Sequence, residues 1–391
     1  MDNPKFSDKV KYELIVVASG LSAGGIFIGL IAALSTRKYA FLIISVIGLV
    51  LYKPLGTMRA NARRAAEYDS SGQRVSMKDP MRMSKKDRDA MDKAKLFREQ
   101  QICPTTTTDR MTHPGSETPD EDIARLIGLK PVKEKVADMT ARMAFENRDK
   151  KKKKKKKDDS KAEVESRHMV FYGSPGTGKT TIARIMAGYL YKYGYIRKNK
   201  CLEIDGNFLK AGEYSAEKTS IVIRRAMGGV LFIDEAYALM GDQAGAEAVA
   251  TLIKEMEDHR GDFVLILAGY TNEMRQLLEY NPGFASRVKE YLTFPDYNAK
   301  EMEQIFELMA KSKGFSVDAA AYPRYDRRVA SERELRSFGN GRTARNILEE
   351  TLDRHARNYM EGKLDKADEF VIVSDDISPE VKNSMFMESY R

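Results

Sequence analysis

Residues 169–181 read Met169-Val-Phe-Tyr-Gly173-Ser-Pro175-Gly176-Thr177-Gly178-Lys179-Thr180-Thr181. Gly173 to Thr180 fits the pattern G-x-x-x-x-G-K-[ST]. The apolar Met169–Tyr172 before it predicts a short buried strand. Ile182, Ile185, Met186, Tyr189 and Leu190 after it repeat at the 3–4 spacing of an amphipathic helix. A strand, a glycine-rich turn and a helix start in this order form a phosphate cradle. The glycines permit a tight turn whose backbone N–H groups point inward, and the helix N-terminus adds partial positive charge. Gly173, Pro175, Gly176, Thr177, Gly178, Lys179, Thr180 and Thr181 are therefore the candidate nucleotide-binding residues. Lys179 is expected to reach the β and γ phosphates, and the Thr180 hydroxyl to ligand Mg²⁺.

Further along, Gly229-Val-Leu-Phe-Ile-Asp234-Glu235 predicts a buried strand with two carboxylates at its C-terminal end. Open α/β sheets bind ligands at that end. Asp234 is the candidate for holding Mg²⁺ through water, and Glu235 for orienting and activating the attacking water. A third apolar strand, Phe263–Ala268, runs into Gly269-Tyr270-Thr271-Asn272. Any of these three polar residues would meet a γ-phosphate there, and the residues alone do not choose among them. Asn281-Pro-Gly-Phe-Ala-Ser-Arg287 presents an arginine on a loop, of the kind that neutralises transition-state charge in a neighbouring subunit. Gly339-Asn-Gly-Arg342-Thr-Ala-Arg345-Asn346 opens another helix, with two arginines one turn apart that would close onto phosphate. Asn298-Ala-Lys-Glu301 predicts a capped helix start, with Met302, Ile305, Phe306 and Met309 on one face.

The chain has 391 residues and a formal charge of +9, with eight lysines in one run, Lys150–Lys157. Without that run the net charge is about +1, so the chain is not basic throughout. The run is expected to be an exposed, disordered loop. A nucleic acid or phosphoinositide is a partner it admits, and a solvated insertion is the favoured reading. Two cysteines, Cys103 and Cys201, exclude a disulfide scaffold and a four-cysteine zinc site. Leu14–Leu34 is free of charge for 21 residues, and Tyr39–Tyr52 for 14. The first is long enough to span a bilayer core of about 30 Å. Residues 1–56 are therefore expected to form a two-helix transmembrane hairpin, with the N-terminus and the nucleotide-binding part both cytoplasmic. Residues 57–117 read as a basic juxtamembrane linker, with a helix start at Ser84-Lys85-Lys86-Asp87 and loop at Thr105–Thr108 and Met111–Ser116. The folded part is expected from Thr118-Pro119-Asp120-Glu121, a capped helix start.

Taken together, these pieces resemble the AAA+ ATPases. The resemblance is nearer to the branch holding CbbX-type rubisco activases, the stage V sporulation protein K family and the ATPase domain of EccA secretion components. It rests on residues 168–181, on Ala226-Met-Gly-Gly-Val-Leu-Phe-Ile-Asp-Glu-Ala-Tyr237, and on Leu267-Ala-Gly-Tyr270, Asn281-Pro-Gly-Phe284 and Gly339–Asn346. It implies an α/β P-loop NTPase fold, with a parallel-sheet core over 118–297 and a small α-helical lid over 298–391. ATP and Mg²⁺ are the implied cofactors. Arg287 becomes the arginine finger, Arg342 the second sensor, and Tyr270 takes the first-sensor position. The arginine finger acts across subunits, so a homo-oligomer, a hexameric ring, is implied. Phe208–Thr219 falls where the family has its central-pore loop, which makes Tyr214 the residue that would grip a polypeptide. The expected function is a membrane-anchored ATPase remodelling or assembling a protein client. A nucleic-acid-associated loader and an ATP-switched membrane scaffold are the alternatives.

Overall fold

The computed structural model describes residues 85–155, 167–335 and 338–379. The chain divides into two compact units, Met1–Pro104 and Thr105–Arg391. Of the first, the described part is a single helix, α1 (Lys85–Ile102). It begins where the sequence predicts a helix start.

The second unit opens with α2 (Thr105–Arg110) and β1 (Thr112–Pro114), in residues expected to be loop. Threonines are mediocre helix formers, but tertiary contacts override that preference here. Thr108 is buried and its Oγ1 accepts from Arg225 Nη1 at 2.8 Å. β1 pairs antiparallel with a later strand, so the folded unit extends upstream of residue 118. Next come α3 (Pro119–Arg125) and α4 (Lys130–Lys155). Pro119 occupies the first helical turn as expected, but the Thr118 side chain makes no capping bond. α4 corrects a second expectation, because the helix continues through Lys155 into the lysine run. Lysine is a good helix former, and positive charge suits the C-terminal end of a helix already nucleated by an apolar stripe. That stripe is Val132, Val136, Met139 and Met143, all buried.

β2 (His168–Gly173) carries the phosphate loop into α5 (Lys179–Lys192). Then follow β3 (Lys200–Asp205), α6 (Gly206–Lys210), α7 (Ser215–Ala226), β4 (Val230–Asp234) and α8 (Gln243–Asp258). β5 (Val264–Gly269), α9 (Thr271–Tyr280), α10 (Pro282–Arg287) and β6 (Val288–Phe294) complete the larger layer. The strand order is β1-β3-β4-β5-β2-β6. The five strands after β1 run parallel, and β1 runs antiparallel at the edge. The sheet is thus mixed rather than wholly parallel. A three-residue strand ending in proline leaves no periodic trace, and an edge is where a strand tolerates proline. The central strand β5 is apolar and buried at every position, and its neighbours β2 and β4 are buried at all but one, as crossover helices require.

The lid comprises α11 (Ala299–Ser312), β7 (Ser316–Val317), α12 (Tyr322–Arg333), α13 (Gly341–Met360) and β8 (Val371–Ile372). Asn298 and Glu301 form the expected reciprocal cap of α11. Met302, Ile305 and Phe306 bury its inner face against Tyr325, Ile347 and Leu348. Arg328 lies inside the lid, only 3% exposed. It bonds Glu332 at 3.0 Å, Glu350 at 3.2 Å and the Ser378 carbonyl at 3.1 Å.

The expected two-span membrane localisation is corrected. Among the described residues no helix is long and apolar enough to cross a membrane. The segments Leu14–Leu34 and Tyr39–Tyr52, and the linker up to residue 84, lie outside the described residues.

Arg328→Met would leave Glu332 and Glu350 facing each other without their cation. The expected loss is about 3 kcal/mol of stability, the usual result of breaking a buried ion pair on one side. A urea midpoint equal to that of the parent chain would contradict it.

Candidate functional site

The phosphate loop bends as it does because of where its glycines lie. Gly178 sits at φ 91° and Gly176 at φ 70°, in the left-handed region that glycine enters without a Cβ penalty. Gly176 is also constrained from outside. A Cβ there would stand 2.0 Å from the Gly339 carbonyl oxygen, so only hydrogen fits between loop and lid. Thr177 is buried and its Oγ1 donates to the Ser174 carbonyl at 2.8 Å, so its side chain shapes the loop from within.

Lys179 is 8% exposed, and its Nζ donates to the carbonyls of Gly173 (2.9 Å) and Ser174 (2.8 Å). Burial lowers its pKa from the usual lysine value. Asp234 opposes that shift most strongly, Arg342 adds to it, and Glu235 and Asp296 oppose it.

A cleft of about 360 Å³ opens over this loop. Of the predicted residues, Gly173, Pro175, Gly176, Gly178, Lys179, Thr180, Thr181, Asp234, Glu235, Tyr270, Arg342 and Arg345 all line it. They arrive from β2, the start of α5, the ends of β4 and β5, and the first turn of α13. Of Tyr270, Thr271 and Asn272, it is Tyr270 that lines the cleft, and its ring is 39% exposed.

Glu235 has the left-handed backbone φ 48°, ψ 39°. For a residue with a Cβ this costs about 1 kcal/mol, so neighbouring structure must impose it. Its N–H donates to Asp234 Oδ1 at 3.0 Å, and its carbonyl accepts from the Ala238 N–H at 2.8 Å. Gly206 packs against the same carbonyl so closely that a Cβ would lie 2.6 Å away.

Besides the buried Thr177, two predicted residues stand outside the cleft lining. Arg287 ends α10, where it pairs with Glu257 at 3.1 Å and donates to the Gly283 carbonyl at 3.1 Å. Tyr214 is 51% exposed, just before α7. The segment leading to it is braced by Lys218, whose Nζ donates to the carbonyls of Phe208 and Ala211 and sits 5.0 Å from the Phe208 ring centroid.

The cleft also holds residues that sequence reasoning did not single out for it. Leu126, Ile127, Ile305, Leu308 and Met309 supply an apolar wall. Ile305 and Met309 belong to the helical stripe that the sequence predicts, but nothing in spacing shows that a stripe faces a ligand. Tyr297 and Tyr237 line the cleft as well. Tyr237 stacks at a tilt on Tyr270, with centroids 5.6 Å apart. Desolvation, then the nearby Glu235 carboxylate, raise its phenol pKa above the ordinary range. Chemically, the cleft offers an apolar wall at one side. Its lining also carries four cations (Arg125, Lys179, Arg342 and Arg345), a threonine pair and two carboxylates, which suits a nucleotide polyphosphate.

Gly176→Ala should weaken ATP binding at least about tenfold, because the methyl group meets lid backbone and the φ is wrong for alanine. Calorimetric titration with ATP gives the check, and an unchanged Kd would show that the loop–lid contact is not needed.

Comparison with known proteins agrees with this geometry. The model of the ATPase family associated with various cellular activities (AAA) matches residues 169–296, and that of the AAA lid domain matches 298–386. The chain is similar to protein CbbX of Cereibacter sphaeroides, 37% identical over 264 residues, covering 65% of this chain and 83% of that protein. It is also similar to protein CfxQ of Xanthobacter flavus, 37% identical over 251 residues, covering 62% and 77%. A third relative is the chloroplastic ribulose bisphosphate carboxylase/oxygenase activase of Cyanidioschyzon merolae, 37% identical over 268 residues, covering 66% and 89%. An α/β layer and a lid, each matched in turn, and relatives aligned along most of their length lead to one conclusion: the chain belongs to the CbbX/CfxQ family of AAA ATPases and is an ATPase.

Proposed function

We propose that this ATPase works as a hexameric ring in which Mg-ATP hydrolysis drives remodelling of a protein client. One observation carries the reading. The cleft gathers the residues needed to bind and polarise ATP, while Arg287 and Tyr214 are held outside it. An arginine braced at a helix end away from its own cleft suits service to a neighbouring one, and an exposed tyrosine on a braced loop suits contact with a polypeptide.

In this reading Lys179, Arg342 and Arg345 hold the phosphates. The apolar wall of Leu126, Ile127, Ile305 and Leu308 takes the base. The donor set fits a magnesium ion, with the Thr180 hydroxyl and the Asp234 carboxylate beside the phosphate cradle. Among the described residues no cluster of three or more His, Cys, Asp or Glu side chains could cage a metal. Such a sparse set is what Mg²⁺ uses when phosphate oxygens and water complete its shell. When bound, Mg²⁺ neutralises charge on the β and γ phosphates. Glu235 orients the attacking water and accepts its proton. Arg287 of one subunit stabilises the transition state in the next. Tyr270, tilted on Tyr237, takes the first-sensor position.

Lys179→Ala should abolish ATP binding. Glu235→Gln should keep ATP affinity within about threefold while kcat falls at least about a hundredfold, the range for losing a general base. Arg287→Ala should bind ATP normally and turn over as slowly. Mixing those two inactive proteins should restore activity, because Arg287→Ala subunits keep Glu235 and receive an intact Arg287 from their neighbours. A mixture as inactive as its parts would refute the shared site. A client trapped by the Glu235→Gln protein with ATP should be released when Tyr214→Ala is added to the same chain.

A further inference from the structure

The AAA module ends at residue 296 and the lid begins at 298. The hinge between them is therefore centred on Asp296 and Tyr297. One buried side chain touches this hinge and the phosphate loop together. Asn340 is 0% exposed. Its Oδ1 accepts from the Tyr297 N–H at 3.0 Å. Its Nδ2 donates to Asp296 Oδ1 at 2.8 Å and to the Pro175 carbonyl at 3.4 Å. The next residue continues the link, since the Gly341 N–H donates to the Gly176 carbonyl at 3.1 Å.

The orientation of this amide follows from its partners. Turned over, its oxygen would face the Asp296 carboxylate and its NH₂ the Tyr297 N–H, and both contacts would repel. An amide is also the side chain that answers an N–H and two oxygens at once. The backbone makes the same point. Asn340 lies at φ 50°, ψ −118°, between two glycines that would adopt this conformation with less strain. A residue held in such a region marks a place where the side chain is needed. Two residues later, Arg342 enters the cleft, and Arg345 follows one turn on. The rest of the hinge is held as firmly. The Tyr297 carbonyl accepts from Arg333 Nη2, and its phenol donates to the Thr177 carbonyl at 3.3 Å.

We propose that Asn340 is a positioning residue that ties the angle of the lid, and so the reach of Arg342, to the conformation of the phosphate loop. A shift of Pro175 and Gly176 on nucleotide exchange moves Asn340 and Gly341 with them. The hinge follows, because Asn340 holds both Asp296 and Tyr297. Nucleotide affinity and release then depend on this amide as well as on the arginines. The proposal rests on the reading of Arg342 as a phosphate ligand.

The test uses the full chain, with steady-state ATPase kinetics, release of a fluorescent ADP analogue and thermal melting. Asn340→Gly removes the amide while easing the backbone. Asn340→Asp keeps the acceptor for Tyr297 but sets two carboxylates against each other. Both should raise the KM for ATP about tenfold, with a smaller fall in kcat, and speed ADP release, as expected for losing charge-assisted hydrogen bonds. Combining Asp296→Asn with Asn340→Asp reverses donor and acceptor across the same contact. It should recover the melting temperature through the restored hinge contact while KM stays raised at least about fivefold, because a carboxylate at this position cannot donate to the Pro175 carbonyl. Asn340 variants with KM and ADP release unchanged, beside an Arg342→Ala control whose KM rises, would overturn the proposal. So would a double variant whose KM returns to that of the parent, since the link to the Pro175 carbonyl would then be dispensable. An unchanged KM for Arg342→Ala beside raised values for the Asn340 variants would refute the role of Arg342 alone and leave the clamp standing.

Discussion

A loop that binds phosphate must present its N–H groups to the ligand, and its carbonyls then need partners on the other side. Here those partners come from two places. Lys179 folds its ammonium back onto the carbonyls of Gly173 and Ser174. Gly341, at the first turn of α13, bonds the carbonyl of Gly176. This second contact governs the rest, because it makes the lid part of the loop's own hydrogen-bond network. The absent side chain of Gly176 is its precondition, and Asn340 extends it to the hinge. An arginine on the lid therefore reaches the cleft from a place set by the loop itself.

The electrostatics follow from the same enclosure. A nearly buried ammonium without counter-charge would be costly to ionise. Asp234, Glu235 and Asp296 compensate around Lys179, while Arg342 opposes. A polyphosphate adds the missing negative charge, so the cleft in this arrangement is electrostatically prepared for its ligand. The apolar wall contributed by Leu126 and Ile127, just after α3, and by the lid helix α11 lines the same cleft. The α11 part of that wall belongs to the lid, which the contact between Gly341 and Gly176 joins to the loop.

Much of this was legible in the sequence, for a physical reason. Phosphate loops need glycine at fixed places, buried parallel strands need uninterrupted apolar runs, and carboxylates that face a ligand cleft follow strand ends. Each leaves a dense local pattern, as at Gly173–Thr181 and Val230–Glu235. What escaped depends on contacts distant in sequence. β1 is too short to show a period and exists through pairing with β3. The lysine run looked unable to fold because like charges repel, but a helix already under way carried through Lys155. Tyr237 and Tyr297 carry no local pattern that points to the cleft. Asn340 lies in a predicted helix start, where nothing local shows that it is wholly buried. The membrane reading leaned on uncharged length alone, and the described helices give it no support.

Gly206 suggests a further consequence. Its α-carbon abuts the carbonyl of Glu235, the residue in the left-handed conformation, and its helix α6 leads directly into the segment that ends at Tyr214. A relaxation of the Glu235 backbone toward an ordinary conformation would swing that carbonyl, and Gly206 stands in its path. The two surfaces are in gear, with no slack of even one methyl group between them. The strand end at Glu235 and the start of α6 thus meet at one bearing, where backbone lies against backbone. No side chain needs to change rotamer for one to register the other, so the linkage is as stiff as the peptide units that form it.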